Sequence, residues 1–331
     1  MNSRATKRAL VTGATGFTGG ALCRRLVNDG WEVKAFVRPS SDTEALEALG
    51  VNCITTDITS RKEVAEAFPS VDVVFHIAAA FRSELSDQDE FWRVNVDGTR
   101  NLLDEANSRK IDRFVHCSTI GVHGEIEEPP ADETYRYKPL DHYQESKLAG
   151  EKIALRYFSN GLKGTVVRPA SIYGPGDTRF LKLFKPIEKG YFVMIGSGES
   201  LYHTIYIDDL VDGFVLAATE PQAVGQIFTI AGERYTTLNE LVKLIGDALD
   251  RQVPERHIPL KPVMAAAVVC DRVFRAVGLS PPIYPRRVKF FQLSRAFSTK
   301  KARTLIGYNP HVGLREGLRR TADWYKAEGL L

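Results

Sequence analysis

The sequence predicts an α/β fold: a doubly wound parallel sheet with a smaller C-terminal lobe. Three observations carry this. Strand-like and helix-like patterns alternate along the chain, as a parallel sheet covered on both faces requires. The first apolar run ends in Gly13-Ala14-Thr15-Gly16-Phe17-Thr18-Gly19-Gly20 and passes at once into a helical pattern. No internal repeat of solenoid period and no low-complexity segment competes with that reading.

The elements follow in order. Residues 8–12 read as the first strand, and 16–28 as a helix with Ala21, Leu22, Leu26 and Val27 on one face, closed by Asp29-Gly30. Residues 33–37 form the second strand and 52–55 the third, ending at Asp57-Ile58. The fourth strand, 71–77, is followed by Ala78-Ala79-Ala80, small residues that leave room for a ligand at the sheet edge. A long helix over 91–108 contains Asn95-Val96-Asp97-Gly98-Thr99, and 113–117 is the fifth strand, capped by Ser118 and Thr119. Beyond a loop rich in Glu and Pro, a helix begins near Asp141 and runs to about Ser159, and 225–231 returns as a strand. The sheet domain is expected over 1–172 and 206–231, and the smaller substrate lobe over 173–205 and 232–331.

Composition excludes several classes. There are 44 basic and 41 acidic residues, a net charge of +3, and no basic stripe interleaved with aromatics, so nucleic acid is not an expected partner. Cys23, Cys53, Cys117 and Cys270 lack metal-ligand spacing; no metal site is expected, and reduced thiols fit a reducing compartment. The polar N-terminus has no signal-like apolar region, and no apolar run reaches the ~20 residues of a bilayer span. The expectation is a cytoplasmic protein acting on a small molecule.

The glycines suggest what the sheet edge holds. Gly13 permits a sharp turn, Gly16 lets backbone N–H groups approach a pyrophosphate, and Gly19 lets the helix lie close to the strand; the phosphates then face the positive end of the helix. The second strand ends in Arg38-Pro39-Ser40-Ser41 where an NAD enzyme usually places a carboxylate. A guanidinium fork with two hydroxyls suits a 2′-phosphate, which favours NADP(H) over NAD(H), although NAD(H) stays open. Tyr143 and Lys147 are four apart and share a helical face. A phenol of pKa ~10 is a poor acid–base catalyst near neutrality, and a neighbouring ammonium lowers that value. His76, inside an apolar run, reads as a satisfied core histidine.

In this order and spacing, the glycine turn, the Ser118-Thr119 pair and the Tyr143–Lys147 pair resemble the extended short-chain dehydrogenase/reductase superfamily, which includes the NAD-dependent epimerase/dehydratases. Asn95-Val96-Asp97-Gly98-Thr99, Arg168-Pro169-Ala170-Ser171-Ile172-Tyr173-Gly174 and Tyr206-Ile207-Asp208-Asp209-Leu210 extend the likeness over essentially the whole chain. The resemblance implies a Rossmann fold and makes Tyr143 the proton donor or acceptor at a substrate C–O. Lys147 would hold the nicotinamide ribose and lower the tyrosine pKa. Thr119, or less readily Ser118, would hydrogen-bond the substrate oxygen. Gly13, Thr15, Gly16, Phe17 and Thr18 would surround the pyrophosphate, and Asp57 and Ile58 would flank the adenine. Ala78, Ala79 and Ala80 would line the cofactor path, and Pro169 with Ile172 would reach the carboxamide. Asn95 joins the proton relay or kinks its helix. A homodimer built on helix 91–108 and the Tyr143 helix is the family's usual state.

Three features separate the branches. Thr119 is followed by Ile120 and Gly121 instead of the acid pair that water elimination needs. Tyr202 stands where nucleotide-sugar epimerases often carry a diphosphate-gripping arginine, although Arg179, Lys182, Lys185 or Arg234 could substitute. Residues 262–279 form an apolar helix, read as packing, with a wall for an apolar substrate or a membrane-surface helix beside Arg286, Arg287 and Lys289 as alternatives. The C-terminal lobe resembles that of 3β-hydroxysteroid dehydrogenases and dihydroflavonol reductases. The expected activity is interconversion of a ketone and a secondary alcohol on a largely apolar substrate, with nucleotide-sugar epimerisation as the alternative.

Overall fold

Alternate residues of a single strand serve two cores. Ala9 and Val11 of β1 (Arg8–Thr12) face one hydrophobic cluster, and Leu10 between them faces the other. The same division recurs in β4 (Val73–His76), where Val73 and Phe75 part from Val74. This is why these strands read as unbroken apolar runs: a parallel sheet covered on both faces has no solvent side. The structure, a computed structural model, describes residues 6–81, 88–279 and 281–331.

The remaining strands are β2 (Glu32–Val37), β3 (Asn52–Thr55), β5 (Arg113–Cys117), β6 (Gly164–Pro169) and Ile227–Ile230. They form one parallel seven-stranded sheet in the order Ile227–Ile230, β6, β5, β4, β1, β2, β3. The order reverses between β1 and β4, which opens a crevice at their carboxyl ends where ligands of such sheets bind. On one face lie the helices Phe17–Asn28, through Leu22 and Leu26, and Ile207–Thr219, through Leu210 and Phe214. That cluster continues through Phe184, Leu241, Ile245 and Tyr325 into the C-terminal lobe. On the other face, Val64, Leu102, Leu103 and Ala154 bring in the helices Arg61–Ala67, Thr99–Ser108 and His142–Ser159.

Two segments depart from their expected form. The single helix foreseen over 91–108 is a helix Gln88–Trp92, a π-turn Arg93–Gly98 and a helix Thr99–Ser108. The bulge arises where two backbones meet: a Cβ on Gly150 of the neighbouring helix would lie 2.3 Å from the Asn95 carbonyl oxygen. Such wide turns recur at functional sites, and this one turns the Asn95 side chain toward the end of β4. The second departure is the apolar helix Leu260–Ala276, read as packing, in which only Ala267 is fully buried. All four cysteines are free thiols, with Cys23 and Cys117 buried.

Candidate active site

The glycine turn is shaped by contacts that no side chain would survive. Gly13 has φ +73°, and a Cβ there would stand 2.7 Å from the Ala78 amide nitrogen. A Cβ on Gly19 would come within 2.1 Å of the Gly13 carbonyl oxygen, so the helix is in backbone contact with the turn. Gly16 begins the helix without a side-chain cap, and its own N–H donates to Gly13 O at 3.1 Å. The first-turn N–H groups are thus presented to an anion at the positive helix end, which fits a dinucleotide pyrophosphate. Thr15 is exposed and Phe17 and Thr18 are half-buried at this opening.

Around that opening, Ala78, Ala79 and Ala80 continue β4, and Asn95 secures them. Its Oδ1 accepts from Ala80 N at 2.8 Å, and its Nδ2 donates to Ala80 O at 3.1 Å and to Ser146 Oγ at 2.9 Å. One amide therefore joins the Ala78–Ala80 segment to the helix that carries Tyr143. Further along the sheet edge, Asp57 accepts from both the N–H and the hydroxyl of Thr59 at 2.9 Å. Ile58 packs against Gly98 of the π-turn. Arg38 lies exposed at the end of β2, its N–H donating to Ser41 Oγ at 3.2 Å, and its guanidinium has no partner among the described residues.

Tyr143 and Lys147 sit in the helix His142–Ser159, which Asp141 starts by accepting from Gln144 N at 2.9 Å. Tyr143 is in the first turn, where the helix favours negative charge. Its ring meets Phe81 edge-on at 5.0 Å and Phe91 at 6.3 Å. Lys147 is buried, and its Nζ donates to Cys117 O at 2.7 Å. Burial pulls its pKa below the usual lysine value, while Cys117 and Glu151 act in the opposite direction. Thr119 caps the short turn Ile120–His123 by accepting from Gly121 N at 3.1 Å. That turn packs on the Tyr143 helix, since a Cβ on Gly121 would lie 3.1 Å from Gln144 Cγ. Pro169 is buried at the end of β6, and Ile172 is half-buried with its carbonyl accepting from Arg179.

Ser118 is turned elsewhere. Its hydroxyl donates to Glu151 Oε2, within a buried network that sequence reasoning passed over. Arg168 grips Glu151 through Nε and Nη2, and also reaches Tyr137 Oη at 2.7 Å, Glu133 O at 3.0 Å and His123 Nε2 at 2.9 Å. Glu133 in turn accepts from Thr229 N at 2.7 Å. The available signal was Glu151, four residues beyond Lys147 and so on the same helical face.

His76 is the satisfied core histidine expected. Thr99 Oγ1 donates to Asn95 O at 2.8 Å, so it accepts from His76 Nε2–H at 2.9 Å. His76 Nδ1 then accepts from Thr12 Oγ1 at 2.8 Å, and Thr12 accepts from Ala78 N. Burial, aided by the charge of Lys147, pushes this imidazole down to about 3.

Arg179 also borders the site. Buried Asp177 and the Ile172 carbonyl hold its guanidinium, whose carbon lies 5.7 Å from the Phe17 ring and 5.8 Å from the Phe81 ring. It thus bridges the glycine turn and the aromatic neighbour of Tyr143.

Comparison with known proteins agrees with the fold and identifies the family. The family model described as "NAD dependent epimerase/dehydratase family" matches residues 9–231. A 3-beta-hydroxysteroid dehydrogenase from Mycolicibacterium neoaurum is 31% identical, over 96% of this chain and 91% of that protein. A 2-alkyl-3-oxoalkanoate reductase from Shewanella oneidensis is 30% identical, over 94% of this chain and 84% of that protein. The crystal structure of gox2253 superposes with a TM-score of 0.82 at 26% identity, covering 98% of this chain and 99% of that one. The chain belongs to the NAD-dependent epimerase/dehydratase family, with the Rossmann-type sheet and the nicotinamide chemistry of its dehydrogenases and reductases.

Proposed function

We propose that the chain is an NADP(H)-preferring oxidoreductase that interconverts a ketone and a secondary alcohol on a largely apolar small molecule. The observation that carries this reading is the bond from Lys147 Nζ to Cys117 O, which ties the Tyr143 helix to the strand end bearing Thr119. Gly13, Gly16, Phe17 and Thr18 would hold the pyrophosphate, and Arg38 with Ser40 and Ser41 the 2′-phosphate. The bound nicotinamide supplies or accepts the hydride at the substrate carbon. In the reductive direction Tyr143 gives its phenolic proton to the carbonyl oxygen, and in the oxidative direction it takes that proton back. Thr119 accepts from Gly121 N and keeps its hydroxyl hydrogen for the same oxygen. Lys147 spends one ammonium proton on Cys117 and has two for the ribose and the phenol side. The rings of Phe81 and Phe91 about Tyr143 suit an apolar substrate, and the hydroxysteroid and oxoalkanoate in the relatives' names support one. Ile120, buried directly after Thr119, offers no acid for dehydration.

The test is titration of nucleotide-stripped protein with NADPH and NADH, followed by intrinsic fluorescence, beside Arg38→Ala. A preference for NADPH that Arg38→Ala removes, by about tenfold or more for a charged bidentate contact, supports the reading. NAD⁺ that resists stripping and ignores Arg38 overturns it.

Arg179 favours a second reading, a nucleotide-sugar epimerase with NAD kept bound, because its position beside Phe17 and Phe81 suits a substrate phosphate. Tyr202 weighs against it: the residue packs between Phe180 and Phe290, apolar company for a diphosphate site.

A further inference from the structure

The segment from Arg256 to Thr299 is charged unlike the rest of the chain. It holds eight Lys and Arg residues against one acidic residue, Asp271, in a protein whose net charge is +3. Within it, the helix Leu260–Ala276 turns Val263, Met264, Ala267, Val268 and Phe274 inward. Its outer side is apolar as well. Ala265, Ala266, Val269, Val273 and Ala276 recur at three- and four-residue spacing, share one side of the helix and are exposed. Val269 and Val273 show 62% and 55% of their surface, and Val277 and Leu279 carry the strip beyond the helix end.

The charges are placed to match. By the same helical spacing, Lys261 and Arg272 run along one edge of the strip, both exposed. Asp271 is tied to Arg275 at 2.8 Å, which neutralises the one carboxylate. The short helix Pro285–Lys289 packs against this one and adds exposed Arg287 and Lys289; the side chain of Arg286 lies outside the described residues.

We infer that this strip docks the protein on an anionic lipid surface. A second copy paired antiparallel, about a two-fold axis across the helix, would set basic edge against basic edge, whereas anionic headgroups neutralise the same residues in any orientation of the helix on the surface. The helix lies in the interface and does not cross it: no helix among the described residues is long and apolar enough to span.

The experiment is cosedimentation of the full chain with vesicles of phosphatidylcholine alone or of phosphatidylcholine with phosphatidylglycerol. Binding to the anionic vesicles, about tenfold or more above neutral ones and weakened by salt, is expected. The pair Val269→Asp/Val273→Asp should abolish it while circular dichroism and NADPH binding stay unchanged. If that pair fails to fold, the surface pair Lys261→Glu/Arg272→Glu serves, with a loss of about fivefold or more per residue expected. Failure of the wild type to bind anionic vesicles, or retained binding by the variants, overturns the inference. So does a dimer that Val269→Asp/Val273→Asp splits into monomers, which would assign the strip to a second copy.

Discussion

Lys147 hangs from Cys117: its Nζ donates to the Cys117 carbonyl at 2.7 Å, and so one bond fixes the distance between the Tyr143 helix and the Thr119 strand end. Glu151, one turn further along the same helix, favours the protonated lysine against the burial that opposes it. Activity that needs the ammonium is lost as pH rises through the lysine pKa. Replacing Glu151 by Gln removes the favourable charge, so the alkaline limb of the rate profile should move to lower pH. The same variant leaves Arg168 as an uncompensated buried cation, and urea unfolding should report a loss of about 3–5 kcal/mol. An unmoved alkaline limb would show that Glu151 does not act on Lys147.

Asn95 makes three side-chain hydrogen bonds, two to Ala80 and one to Ser146. Asn95→Ala should lose about 1 kcal/mol for each and leave the Ala80 N–H unpaired. Since the lost bonds join the cofactor path to the Tyr143 helix, kcat should fall and the cofactor KM rise together. A change in stability with both constants unaltered would reduce Asn95 to a packing residue.

Gly19→Ala tests the glycine turn without touching any catalytic group. Its Cβ would meet the Gly13 carbonyl at 2.1 Å, and backbone, unlike a flexible side chain, has nowhere to turn. A destabilisation of ~3 kcal/mol or more is expected, with loss of nucleotide binding in whatever protein folds. Thermal unfolding with and without NADPH would measure both.

Buried histidines should make the fold labile to mild acid. His76 is pushed down to about 3 and His203 to about 4, each chiefly by burial, from an ordinary 6.5. Between those values the unfolded chain binds protons that the native one refuses. Stability is therefore full above about pH 6.5 and falls as pH drops toward the native pKa values, by about 1.4 kcal/mol per pH unit for each histidine. Denaturant midpoints measured across pH 7 to about 4.5 should fall steadily; a flat profile over that window would contradict the assignment of neutral, buried rings.

Much of this molecule was legible in its residues. Apart from β6, which was not assigned from the sequence, the sheet strands and the Tyr143 helix follow from apolar runs and from local signals such as Asp141, whose cap geometry is set by its immediate neighbours. What escaped depended on contacts far apart in sequence. The π-turn exists because Gly150 brings a second backbone against Asn95, a relation no periodicity encodes. Ser118 reads like Thr119 along the chain, yet Glu151 and Arg168 draw its hydroxyl inward. The helix Leu260–Ala276 is apolar on two sides, so its composition could not say which side faces solvent.

The central claim is that Tyr143 delivers the proton in a net reduction. Its most direct measurement is NADPH oxidation, followed by nicotinamide absorbance, with a panel of apolar ketones and the pair wild type and Tyr143→Phe. The wild type should consume NADPH stoichiometrically, and Tyr143→Phe should lower kcat by about a hundredfold or more with NADPH affinity nearly unchanged. Full turnover by Tyr143→Phe, or sugar-nucleotide isomerisation with no net NADPH consumption, would contradict it.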